Sequence, residues 1–91
     1  MAYTSKNKAD VKEAIENNTN DYLDRFIQAD VVKQADDAMT ANKSAIQVAD
    51  AVFDYLYTHN QGTAAESAGL KNCMTKDTMY ILRQEIISIL S

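Results

Sequence analysis

His59 is the single imidazole of the chain, and the carboxylates nearest to it are Asp50 and Asp54. A zinc site would need His59 together with several such ligands converging at helical spacing. Asp54 and His59 align poorly on a helix, and no HExxH or ExxH pattern is present. As a general base His59 has no nucleophile near it in sequence. It reads instead as a solvent-facing residue at the negative end of a helix. Asp50 and Asp54 lie one turn apart, the spacing that chelates a hard cation or shares a proton, and Asp36-Asp37 is the other carboxylate grouping. On the polar side of an amphipathic helix such pairs read as solvated surface. Cys73, the lone cysteine, can neither close an internal disulfide nor hold a structural zinc by itself, and it reads as a small half-buried hydrophobe. There is no glycine-rich phosphate loop, no GxSxG, no CxxC and no calcium loop. The residues therefore imply no catalytic site, no metal and no cofactor, and the expected function is non-enzymatic.

The elements that carry these residues are helical. Ala45, Ile46, Ala49, Val52, Phe53, Leu56 and Tyr57 recur at a period of about 3.6 residues, with Gln47, Asp50, Asp54 and Thr58 opposite. The 91 residues contain no proline and two glycines, Gly62 and Gly69, so hairpin signals are scarce. Hydrophobic residues make up 46% and charged residues 24%, which suits one folded domain over 1–91 rather than a disordered chain. The spacing predicts an all-α fold, a compact bundle of four main helices near 6–17, 20–40, 44–58 and 75–90, plus a short one near 64–68. Thr4 or Ser5, Asn18 or Thr19, Asn42 or Ser44, and Thr75 are the expected N-caps. Asn17 and Asn18 are expected to interrupt the first helix, because short amide side chains compete for backbone hydrogen bonds. The expected core comprises Ile15, Phe26, Ile27, Ala49, Val52, Phe53, Leu56, Met79, Leu82 and Ile86.

Charge is uneven. The formal net charge is −4, and ten of the 13 acids but only six of the nine bases precede His59. An acidic surface repels phosphate backbones, which makes nucleic acid an unlikely partner and a solvated or protein-facing role the expectation. No apolar run approaches the roughly 20 residues that span a bilayer, and the first residues show no export signal. With a lone thiol, the expected location is the cytoplasm.

Thr63-Ala64-Ala65-Glu66-Ser67-Ala68-Gly69-Leu70 resembles the first helix and turn of a helix-turn-helix unit, where alanine permits close helix packing and glycine makes the turn. The resemblance implies a DNA-binding regulator using residues 63–85, with Thr75 to Gln84 as recognition helix and Lys71, Asn72, Lys76, Thr78 and Arg83 facing DNA. The connection is longer than in that family, and Glu66, Asp77 and Glu85 offset the three bases. DNA binding is accordingly the alternative reading.

The leading expectation is a protein that self-associates and binds or inhibits a protein partner, in the size class of an accessory or phage-type inhibitor. In the second helix, Tyr22, Leu23, Phe26 and Ile27 centre on one direction, while Val31, Ala35 and Ala38 centre about 100° away. Either a bend near Ala29–Asp30 or burial on two sides accounts for that rotation. The last helix is apolar over more than half its circumference, through Met79, Tyr80, Ile81, Leu82, Ile86, Ile87, Ile89 and Leu90. Such surplus surface predicts a homo-oligomer, a dimer first, with Val32, Met39, Ile81 and Ile87 at the interface.

Overall fold

The computed structural model describes residues 3–60 and 74–91, the side chains of residues 59 and 60 excepted. Among these residues four helices follow in order: α1 (Ser5–Thr19), α2 (Arg25–Thr40), α3 (Ala45–Tyr55), continued by a π-helical turn (Leu56–Asn60), and α4 (Lys76–Leu90). No strand occurs among the described residues. The all-α bundle is as the periodicity predicts. The expected short helix near 64–68, together with Lys71, Asn72 and Cys73, lies outside the described residues.

Each helix starts where a short polar side chain satisfies its free amides. Thr4 Oγ1 accepts from the Asn7 amide at 3.1 Å, while Asn7 Oδ1 accepts from the Thr4 amide at 3.0 Å. Ser44 and Gln47 form the same reciprocal box at the head of α3, at 3.2 and 3.0 Å. Thr75 Oγ1 accepts from the Thr78 amide at 3.3 Å. α2 differs from expectation: its cap is Asp24, whose Oδ1 accepts from the Ile27 amide at 2.9 Å. The helix therefore begins at Arg25, several residues later than the sequence predicts.

That shift removes the rotation of the apolar direction in α2. Tyr22 and Leu23 sit in the preceding turn and never share the helical phase; Leu23 drops into the core from that turn. Within α2 the buried stripe is Val31, Ala35 and Met39, with Ile27 and Ala38 half-buried beside it. Phe26, expected in the core, stands opposite this stripe and is 84% exposed. Met39, expected at an interface, is buried inside the chain. No bend at Ala29–Asp30 is needed.

α1 also runs further than expected. Asn18 stays helical because its amide has partners there: Nδ2 donates to the Ala14 carbonyl at 2.7 Å and to the Glu85 carboxylate of α4 at 2.5 Å. Thr19, fully buried, returns its hydroxyl to the Ile15 carbonyl at 2.6 Å. Gln28 Nε2 then ties the start of α2 to the end of α1, through Thr19 Oγ1 (2.9 Å), Asn20 Oδ1 (2.9 Å) and the Glu16 carbonyl (3.3 Å). These tertiary partners override the weak local propensity of the asparagines.

The helices close into a ring. α1 packs on α2 and α4, and α3 packs on α2 and α4. Val11, Ala14, Ile15, Val31, Ala35, Val48, Ala49, Val52, Leu56, Met79, Leu82 and Ile86 fill the centre, with Met74 and Leu23 also buried. The ring sets α1–α2 and α3–α4 on opposite sides of the bundle. Among the described residues no helix is long and apolar enough to cross a membrane.

Candidate interaction surface

α3 is apolar on so much of its circumference that its phase is settled only by packing. Val48 and Val52, one turn apart, turn inward with Ala49 and Leu56. Ile46, Phe53 and Tyr57 are thereby rotated to the outer edge that faces α4, and Phe53 is half-buried rather than central. Across that edge α3 and α4 meet residue for residue. Asp50 Oδ1 accepts from Arg83 Nε at 2.6 Å. Phe53 and Tyr80 have ring centroids 4.7 Å apart with planes tilted by 37°. Lys76 Nζ sits 5.3 Å above the ring of Tyr57, which is itself nearly parallel to Phe53 at 6.2 Å. One turn forward on α3 is matched each time by one turn back on α4, so the helices are antiparallel and in register. The same register sets Ile46 opposite Ile87.

This ladder leaves apolar groups in water. Ile46 is 54% exposed, Tyr57 36%, Tyr80 48% and Ile81 60%. Ile81 lies about 100° further round α4 than Tyr80, away from α3 and on the flank where Glu85, one turn on, reaches Asn18 of α1. Ile46, Tyr57 and Tyr80 on two adjacent helices make an apolar edge of the kind that marks contacts, and tyrosine suits it because one end of the ring is apolar and the other wet. Ion pair, aromatic pair and cation–π contact fix the backbones beneath the patch, so little ordering is required when it is covered.

The residues expected at an interface are thus divided. Ile81 is exposed beside the edge on the outer surface of α4, Ile87 is half-buried at the edge's aliphatic end, Val32 is half-buried on the far side between α1 and α2, and Met39 is in the core. Of the described residues expected to face DNA, Arg83 is committed to Asp50, Lys76 lies over Tyr57, and Thr78 shares a 3.0 Å hydroxyl contact with Thr75. The pairing of Tyr80 with Phe53 and of Asp50 with Arg83 escaped sequence reasoning. Their signal was the matched edge spacing of Ile46-Asp50-Phe53-Tyr57 and Lys76-Tyr80-Arg83-Ile87, legible only once the two helices are known to be neighbours.

The carboxylate groupings are spent on cations. Asp36 holds Lys8 at 3.5 Å and Asp37 holds Lys33 at 2.7 Å. Asp50 turns to Arg83 and not to Asp54, and among the described residues no three of His, Cys, Asp and Glu gather as metal ligands. The hydrogen bond and charge of Asp37 hold the Lys33 ammonium above its ordinary pKa. The Tyr55 phenol is also pushed up, first by burial, then by the negative charge of Asp30 on α2 and a hydrogen bond to it. The first shift reports an exposed ion pair within α2, the second the approach of α3 to α2. Compared with known proteins, the chain matches no family model, no curated protein and no solved structure.

Proposed function

We propose that this chain is a non-enzymatic interaction protein that self-associates through the outer face of α3–α4 and binds, or by binding inhibits, a protein partner. The observation that carries the reading is the exposed apolar edge of Ile46, Tyr57 and Tyr80 along α3–α4, with exposed Ile81 beside Tyr80 on the outer surface of α4. The occupant of that face is a second copy. A two-fold contact pairs each patch with itself, setting Tyr80 and Ile81 against their equivalents and covering apolar area in both chains at once. A reducing cytoplasm is part of the proposal, supported by the lone cysteine. The nucleic-acid alternative has less in its favour, because Arg83 and Lys76 are already engaged within the chain and the net charge is −4.

Sedimentation equilibrium from about 10 µM to about 1 mM tests the proposal. The expected result is a mass that rises with concentration from one chain toward twice the 10.1 kDa chain mass, and stays at a single chain in Ile81→Asp. Ile81 is too exposed for that change to unfold a monomer, so circular dichroism should stay helical. A 10.1 kDa species at every concentration, indifferent to Ile81→Asp, overturns it.

A further inference from the structure

On the side of the ring away from α3–α4, α1 and α2 leave a groove between them. Ala9, Ala29 and Ala35 are too small to close it, and Val11, Val32 and Met39 complete an apolar floor. Two confluent hollows of about 380 and 420 Å³ make up its length, sharing Lys12, Ala29 and Val32. On α1 the groove extends from Lys8 to Glu16. At a rise of about 1.5 Å per residue that is about 12 Å, the span of two helical turns.

The charge around the groove is opposite to that of the chain. The whole sequence carries −4, yet the rim presents Lys8, Lys12, Arg25 and Lys33 against Glu16 and Asp36 alone. Lys8 and Lys33 are partly neutralised by Asp36 and Asp37. Lys12 and Arg25, both exposed, form no ion pair among the described residues. Lys12 stands where the two hollows meet, and Arg25 lines the second of them.

We propose that the α1–α2 groove docks an acidic amphipathic helix of a partner protein. An apolar ridge at positions i, i+3 or i+4, and i+7 lies on Ala29, Val32 and Ala9, while glutamate or aspartate on its flanks faces Lys12 and Arg25. A second copy of this face is the poorer occupant, since it would set one basic rim against another. A nucleic acid is poorer too, because an apolar floor offers a phosphate nothing. The inference rests on the chain being a protein-binding module and names its partner's chemistry, but it needs no dimer.

Fluorescence anisotropy with a labelled helical peptide of about 14 residues, leucine at every third or fourth position and glutamate on both flanks, is the test. The full chain should bind it saturably, and a peptide with lysine in place of glutamate should bind about tenfold more weakly or not at all. Affinity should fall severalfold as salt rises from about 50 to about 150 mM. The double substitution Lys12→Glu with Arg25→Glu should weaken binding about tenfold without altering the thermal melt, both side chains being exposed. The Ile81→Asp chain should bind the acidic peptide as the parent does. Absence of saturable binding, equal binding of both peptides, or indifference to the double substitution overturns the groove. Loss of binding in Ile81→Asp with retention in the double variant also overturns it and moves the peptide to α3–α4. Self-association is read separately by sedimentation, so either proposal can fail alone.

Discussion

Replacing Phe26 by alanine should leave the bundle as stable as before, although the residue's type and its place in the sequence predict a core position. With 84% of Phe26 exposed, about a sixth of its surface is removed from water. Full burial of such a side chain is worth about 1.5–3 kcal/mol, so the fraction retained here contributes about 0.3–0.5 kcal/mol. Alanine is the better helix former by a comparable few tenths, which cancels most of that loss. Ile15 is the contrast. It is fully buried on α1, and Ile15→Ala both removes its transfer energy and leaves a cavity, at a cost of about 2–5 kcal/mol. Urea unfolding followed by far-ultraviolet circular dichroism measures both. For a slope of about 1 kcal/mol per molar, typical of small proteins, the midpoint should move by less than about 0.5 M for Phe26→Ala and by about 2 M or more for Ile15→Ala. A loss of about 3 kcal/mol or more on Phe26→Ala, with an unchanged slope, would refute the placement of α2 and with it the start of that helix at Arg25.

Gln28→Ala should cost about 1 kcal/mol in the same assay, because it removes the amide that ties α2 to Thr19 Oγ1, Asn20 Oδ1 and the Glu16 carbonyl. Arg83→Ala should cost about 1 kcal/mol, less at high salt, and a double-mutant cycle with Asp50→Ala should recover most of it as coupling. Tyr55 has a folded pKa raised above 10.0, so the fold favours the neutral phenol. The stability it contributes is present below about pH 10 and is lost as pH rises through the folded pKa; Tyr55→Phe should flatten that alkaline decline in thermal melts.

Helices were legible in this sequence because their caps and periodicities agree. Thr4, Ser44 and Thr75 are short polar residues immediately before apolar runs, and they cap as such residues should. The start of α2 was not legible, since Asn18, Thr19 and Asp24 are all competent caps. Only the tertiary bonds of Asn18, Thr19 and Gln28 decide among them. The face that α3 buries was ambiguous for a different reason. Ile46 and Phe53 are as apolar as Val48 and Val52, and periodicity cannot separate the inner edge of a nearly all-apolar helix from its outer one. The patch at Ile46, Tyr57 and Tyr80 depends on that choice and on which helices are neighbours, so the sequence carried its residues but not its outline. Ile81 and Ile87 were singled out, from the excess apolar circumference of α4.

A dilution series of two-dimensional amide nuclear magnetic resonance spectra tests the claim that α3–α4 is the self-association face. On dilution from about millimolar to about 10 µM, across the range where transient and stable dimers dissociate, the amides of Ile46, Tyr57, Tyr80 and Ile81 should shift or sharpen together. Those of Lys12, Arg25 and Ala29 should not move, and Ile81→Asp should show the dilute spectrum at every concentration. Concentration-independent spectra, or shifts centred on α1 and α2, would contradict the account.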